Sequence, residues 1–339
     1  MRIQLISAVV LFAAPIAQAQ GVLDGVAEKG YGAPIIEQNT QTQFGDSNLA
    51  TVDFANGSEL NSAYAHIGGG MLHLVLTGNL ESNYNKLEIF IDAVAGGQNQ
   101  LRNNNADVDY NGLNRMGDDA ATLKVVEGLT FDADFSSDLW VSLTCGGPTF
   151  AVYMNYAETL TNGGGVGSYL GTGGAGAAGA TVFKSGFGFG IDNSNILGVV
   201  GGIDIGNGSG CTTGVEIQIP LSSIVGYVDG DIKVCAFING GGHDYVSNQV
   251  LGGLGGGANL ADPRFVNFEN IPGSQYFVVS NSAAPTCPAD IDMNGNVDAA
   301  DLSGLLGNWG SSGMGDIDGD GDVDAADLST LLGAWGACP

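Results

Sequence analysis

Positive charge is scarce in this chain. Nine Lys+Arg stand against 36 Asp+Glu in 339 residues, a formal net charge of −27. Such a chain cannot neutralise a run of phosphates, which excludes nucleic-acid binding and argues equally against an anionic membrane surface. Long apolar runs are missing too. Beyond the N-terminus no segment reaches the roughly 18 residues a bilayer-spanning helix needs, so no membrane insertion is expected. Histidine is limited to His66, His73 and His243, and no serine-nucleophile motif, H-E-x-x-H or C-x-x-C accompanies them. That poverty leans away from an enzyme. Only Trp140 precedes residue 287, which argues against an extended aromatic platform for a polysaccharide.

What is abundant is glycine, 57 residues, together with 14 Phe and 10 Tyr. Glycine-rich turns between short apolar runs predict many strands and no helical bundle. The clearest alternating runs are Met71–Thr77, Lys86–Asp92, Leu139–Thr144, Phe150–Tyr156, Gly214–Leu221, Ile232–Ile238 and Gln275–Ser280. Leu87, Ile89 and Ile91 share one face, as do Ile232, Val234, Ala236 and Ile238. Period two over many strands predicts a mainly β fold, an antiparallel β-sandwich or jelly roll over residues 20–280. Trp140 falls on the face of Ser142 and is expected at the rim or exposed, where it would stack on a sugar ring.

Residues 1–19 have the form of a secretory signal: Arg2, an apolar stretch from Leu5 to Ala14, and the small-x-small site Ala17, Gln18, Ala19. The expected location is secreted, extracellular or at the cell surface. Five cysteines then face an oxidising compartment. Cys287 and Cys338 bracket the last segment, and the pairing among Cys145, Cys211 and Cys235 is left open.

The chain becomes specific after a small polar linker, 281–286. The segment from Asp290 to Gly310 recurs 26 residues later as Asp316 to Gly336. Each copy offers oxygen ligands at the spacing of a twelve-residue Ca²⁺ loop. The first copy supplies Asp290, Asp292, Asn294, Asp298 and Asp301, with Asn296 giving its backbone carbonyl; the second supplies Asp316, Asp318, Asp320, Asp324 and Asp327, with Asp322 in the carbonyl role. Gly295 and Gly321 take the sharp turn at position six. Val297 and Val323 are expected on a short strand pairing the two loops. Leu302, Leu305, Leu306 and Trp309 follow the first loop at helical spacing, and Leu328, Leu331, Leu332 and Trp335 follow the second. Nothing before either loop can be an entering helix, so these are not ordinary EF-hands. Residues 287–339 carry ten carboxylates and no Lys or Arg, so cations are expected to hold them folded.

Two tandem loops with one exiting helix each resemble the type I dockerin module, over residues 287–339. The resemblance implies a small α module with two bound Ca²⁺ ions and a cohesin-like or cell-surface protein partner. It also implies association with polysaccharide-degrading enzymes, which keeps hydrolysis of O-glycosyl bonds, or an accessory carbohydrate-binding role, as the alternative to a non-catalytic binding or structural module. Where the family's partner contacts commonly carry Ser-Thr, this chain has Ala299, Ala300 and Ala325, Ala326; Gly307 and Gly333 stand where a basic residue is often found. These departures fall on partner-contacting positions and leave the calcium ligands untouched. The stretches at Phe90–Gly97 and Gly214–Ile224 loosely resemble family-9 carbohydrate-binding and DOMON-type sandwiches.

Three further features carry candidate chemistry. A weaker loop register at Asp107, Asp109, Asn111, Gly112 and Asp118 gives a possible third Ca²⁺ site, against the plainer reading as an Asn/Asp-rich turn, since Arg115 occupies position nine. Gly174–Gly179 matches G-x-G-x-x-G but reads as a loop. Glu88, Glu158, Glu216 and Asp192 are the carboxylates that would have to converge for glycoside hydrolysis, though no spacing selects them.

Overall fold

The computed structural model describes residues 23–45, 57–118, 127–147, 150–174, 181–197, 199, 201–204, 206, 208–281, 287–291, 296–311, 315–318 and 322–338. The signal-like segment 1–19, nearly all of the linker and most of Gly174–Gly179 lie outside these.

Strands dominate. They are β1 (Ile36–Glu37), β2 (Glu59–Gly68), β3 (Met71–Asn79), β4 (Lys86–Asp92), β5 (Leu139–Gly146), β6 (Ala151–Glu158) and β7 (Gly167–Gly173). They continue with β8 (Thr181–Val182), β9 (Gly188–Ile191), β10 (Gly214–Pro220), β11 (Ile232–Asn239), β12 (Val246–Val250) and β13 (Phe277–Val279). One sheet runs β1-β2-β3-β10-β9-β8; the other runs β12-β11-β4-β5-β6-β7, with β13 also paired to β11. The strand pairings are antiparallel.

Alternation is what joins the sheets. Leu87, Ile89 and Ile91 sit opposite Leu143, Val141 and Leu139 on β5. These meet Leu72, Leu74, Leu76, Ile217 and Ile219 of the other sheet in one buried apolar cluster. Each such aliphatic side chain contributes about 1.5–3 kcal/mol by leaving water. Two antiparallel sheets around a shared core are the arrangement of a β-sandwich.

The outer face of the β4–β5–β11 sheet is covered as well. Phe90, Trp140, Cys235 and Phe237 point away from the first core and meet Leu101, Leu113, Met116, Phe131, Phe135 and Phe268 in a second one. The covering layer is mostly loop, with one short helix, α1 (Gly112–Arg115). Loops laid on a sheet must satisfy their own backbone groups. Asparagine and glutamine side chains do this: Asn99 Nδ2 donates to the carbonyls of Asp132 and Phe135, each at 2.8 Å, and Gln98 Nε2 to Leu160 at 2.7 Å. This layer corrects the expectation for Trp140, which is fully buried, with no face left for a sugar.

The C-terminal segment packs around an apolar cluster of its own. Helices α2 (Ala299–Gly307) and α3 (Ala325–Gly333) each follow a loop, and Ala289, Val297, Leu305, Val323 and Leu331 form its core. Cys287 and Cys338 are disulfide-bonded, with Cα atoms 5.8 Å apart. Among the described residues the two loops do not pair with each other, against the expectation for Val297 and Val323. Instead β14 (Asn296–Val297) pairs with β15 (Gly336–Ala337), beyond the second helix. Val323 exchanges backbone bonds with Gly310 and Ser311, beyond the first. Each exiting helix carries the chain back beside the other repeat's loop, so the pairing is crossed. The apolar stripe is also only half used: Leu305 and Leu331 are buried, while Leu306, Trp309, Leu332 and Trp335 are each about half exposed.

Candidate functional site

In the second repeat the carboxylate oxygens of Asp316, Asp318 and Asp327 lie within 4.8 Å of one another. Oxygens bound to one Ca²⁺ at about 2.3–2.6 Å are separated by no more than about 5 Å, so these three fit a shared hard cation. Asp327 is buried. Its Oδ1 accepts from the amides of Ile317 (2.6 Å) and Asp318 (3.1 Å), and its Oδ2 from Asp324 (2.8 Å). The Asp324 amide and these others hold the carboxyl below the usual range, keeping it ionised as a metal ligand must be.

The loop residues also start the helices. Asp298 Oδ1 accepts from the Ala300 amide, and Asp324 Oδ1 from Ala326, each at 2.7 Å. Asp301 Oδ2 accepts from the Asp298 amide at 2.8 Å, closing a capping box that Asp324 and Asp327 repeat. Positions nine and twelve are therefore helix caps in both copies. Asp290 and Asn296 are half-buried and exposed respectively, Asp301 is buried and Asp322 exposed. Asp292, Asn294 and Asp320 lie outside the described residues.

A second polar cluster escaped the sequence reading. Under the covering layer, His243 Nδ1 meets Glu88 Oε1 at 2.6 Å and its Nε2 meets Asp109 Oδ2 at 3.0 Å. Lys86 Nζ donates to Asp109 Oδ1 at 3.1 Å and Oδ2 at 3.0 Å. Trp140 Nε1 donates to Glu88 Oε2 at 2.8 Å, and Asn239 Nδ2 to Oε1 at 3.1 Å. All six side chains are buried or nearly so. Burial by itself disfavours the imidazolium of His243, but Glu88 and Asp109 outweigh it and raise its pKa to about 9. Burial likewise opposes ionised Asp109, yet His243 and Lys86 bring it down to about 2. Gly112 lets the layer close: a Cβ there would lie 2.3 Å from the His243 ring. The only sequence signal was Lys86, Glu88 and Phe90 alternating on one face, a mixture no exposed face requires.

These contacts give Asp109 cationic partners within the protein. Asn111 Oδ1 accepts from Asn114 Nδ2 at 2.6 Å, and Asp118 Oδ1 from the Asn103 amide at 3.0 Å. Asp107 is exposed. Among the described residues, the ligands of the third loop do not converge. Nor do the four candidate glycosidase carboxylates. Glu88 is beneath the covering layer, whereas Glu216 is on the far side of the other sheet, accepting from Asp24, Gly25 and Tyr31. Glu158 accepts from Val166, and Asp192 from Ser194. His66 and His73 face each other across β2 and β3 with rings stacked 4.6 Å apart, and burial lowers the pKa of both. Cys145, Cys211 and Cys235 are buried thiols and form no disulfide.

Compared with known proteins, the chain matches no family model, no curated protein and no solved structure. No helix among the described residues is long and apolar enough to cross a membrane.

One buried carboxyl gives a direct prediction. Glu59 is buried, its Oε2 has no hydrogen-bond partner among the described residues, and burial raises its pKa from 4.5 to about 9. Above pH 4.5 the unfolded chain ionises this group while the folded protein keeps it neutral. Stability therefore falls as pH rises from 4.5 to about 9, by at most about 1.4 kcal/mol per unit. Glu59→Gln is expected to flatten that slope in urea midpoints taken across the range; an unchanged slope would show the carboxyl to be ionised when folded.

Proposed function

We propose that this is a secreted, non-catalytic protein whose sandwich region binds or builds, and whose segment 287–339 is a dockerin-like, Ca²⁺-dependent docking module. The observation carrying this reading is the convergence of Asp316, Asp318 and Asp327 in a unit without Lys or Arg. With that many like charges in so small a unit, a divalent ion is the simplest source of compensation.

The half-exposed Leu306, Trp309, Leu332 and Trp335 support docking, since each repeat offers the same Leu–Trp pair for burial against a partner. Ala299, Ala300, Ala325 and Ala326 are exposed in the first turns of α2 and α3. A cohesin-like or cell-surface partner meeting them would find small apolar groups. The scattered placement of Glu88, Glu158, Glu216 and Asp192 favours a binding role for the sandwich over glycoside hydrolysis.

Calorimetric titration with Ca²⁺ tests the module. Two ions per chain are expected, and one for Asp316→Ala. A stoichiometry unchanged by that substitution would remove the second loop from the binding site.

A further inference from the structure

A cleft of about 380 Å³ in the sandwich region, shared by Arg115 and Arg264, has a lining already engaged by the protein itself. Arg264 Nε and Nη2 donate to the two oxygens of Asp262 at 3.0 and 2.6 Å, and Arg115 Nη1 donates to the Gly242 carbonyl at 3.0 Å. Asn114 Nδ2 donates to the Asn105 carbonyl and to Asn111 Oδ1, while its Oδ1 accepts from the Asn105 amide. The segment 287–339 offers more. Its two loops are near copies in sequence, yet the fold fastens them differently.

The first loop is held from both ends of the segment. Position one, Asp290, lies three residues after Cys287, and its amide donates to the Cys287 carbonyl at 2.9 Å. Positions seven and eight, Asn296 and Val297, pair with Ala337 and Gly336 of β15, so position seven sits opposite the neighbour of Cys338. The Cys287–Cys338 disulfide joins these two attachments, and Asp290 Oδ2 lies 3.6 Å from Cys338 Sγ. A closed circuit therefore runs from the disulfide through Asp290 and the loop to β14, across to β15 and back. The second loop is fastened elsewhere. Val323, at its position eight, exchanges backbone bonds with Gly310 and Ser311, between the repeats. Asp327, at position twelve, is held by amides of its own loop.

We infer that the Cys287–Cys338 disulfide is the positioning element of the first Ca²⁺ loop, so that the redox state of this bond sets the affinity of one calcium site and leaves the other unchanged. This rests on the reading of the segment as a Ca²⁺ module. The physical reason is preorganisation: ligands held in place beforehand cost little further ordering when the ion arrives. With the bond cut, 51 positions of chain separate the two anchors, and the two-residue β14–β15 ladder is left to hold them. So short a pair of strands is marginal alone. Reduction consumes two equivalents of a small thiol such as glutathione. The first attacks one sulfur and forms a mixed disulfide; the second releases it as the oxidised dimer of the reductant, and Cys287 and Cys338 each take up a proton. Both cysteines are half-buried and so within reach of a small reductant. Coupling between two equilibria is reciprocal, so Ca²⁺ at the first loop must favour the disulfide by the factor that reduction costs the ion.

Full-length Asp316→Ala and Asp290→Ala chains isolate the first and second loops, and each is titrated with Ca²⁺ by calorimetry with the disulfide intact and as Cys287→Ser/Cys338→Ser. In the Asp316→Ala chain, loss of the bond is expected to weaken the site by about 10–100-fold, the scale for removing a group that orients a metal ligand. In the Asp290→Ala chain the affinity is expected to stay within about twofold, as for sites that do not couple. A second measurement keeps both cysteines. The chains are equilibrated in glutathione buffers with Ca²⁺ or with chelator, free thiols are trapped by alkylation, and the peptides carrying Cys287 and Cys338 are weighed. Ca²⁺ is expected to raise the disulfide fraction in the Asp316→Ala chain and not in the Asp290→Ala chain. Equal weakening of both loops, or of neither, overturns the inference and leaves the Ca²⁺ module standing, as does a disulfide fraction indifferent to Ca²⁺ in both chains. Failure of either chain to bind Ca²⁺ with its disulfide intact overturns the Ca²⁺ reading itself, and the inference with it.

Discussion

His243→Ala is expected to destabilise the protein by about 3–5 kcal/mol at neutral pH, the usual cost of removing one member of a buried ion pair. The substitution leaves Glu88 fully buried with only Trp140 and Asn239 as donors. It also opens a void beside Gly112, because the ring fills the space a Cβ would take. Urea unfolding of the Ca²⁺-loaded protein measures this, and a loss below about 1 kcal/mol, the scale of an exposed pair, would show the network to be incidental. The pH profile adds a sign. With its pKa raised from 6.5 to about 9, His243 contributes stability that is fully present below pH 6.5 and lost as pH rises through about 9. Asp109, lowered from 3.8 to about 2, contributes stability present above 3.8 and lost as pH falls toward 2. The network is therefore strongest between these windows; His243→Ala should remove its share of the fall between pH 6.5 and 9, leaving the Glu59 share that starts at pH 4.5.

Chelation of Ca²⁺ is expected to open the segment 287–339 to proteases while the sandwich region stays intact. Carboxylate oxygens within 4.8 Å of one another repel by several kcal/mol per ionised pair at the effective dielectric of a protein surface. No lysine or arginine in the segment relieves this. A site held at about 100 times its dissociation constant regains about 2.7 kcal/mol, and two sites more. The apolar core of the module is small, Ala289, Val297, Leu305, Val323 and Leu331, and shares no member with the two clusters of the sandwich region. Only the Cys287–Cys338 disulfide would continue to hold its ends. Limited proteolysis with and without chelator, read by the masses of the fragments, decides it: equal resistance in both conditions would mean that the module folds without ions.

Strands were legible where large aliphatic residues alternated along one face. β4 follows its predicted bounds, Lys86–Asp92, and β11 extends the predicted Ile232–Ile238 by one residue. β2, β7, β9 and β12 were missed, as were the two-residue β1 and β8; β2 sets its core-facing Ala63, Ala65 and Ile67 among Asn61, Ser62 and His66, which hides the alternation. Three of seven residues in β7 are glycine, and β12 carries Ser247, Asn248 and Gln249 buried between two valines. Polar residues enter a core without leaving an alternating trace when their hydrogen-bonding partners come from distant segments. Gln249, for example, accepts from the Leu60 amide across 189 positions.

The sequence by itself determined the repeat, the absence of compensating cations within it and the apolar alternation of the sheets, because each depends on residues close together along the chain. Tertiary structure decided that the outer sheet face is covered, that Trp140 is buried on Glu88, that the two loops pair crosswise, and that Arg115 and Arg264 share a cleft. Those outcomes depend on contacts between segments far apart, such as His243 with Glu88 across 155 positions. A charged side chain is stabilised or penalised by whatever the fold brings beside it, which local spacing does not encode.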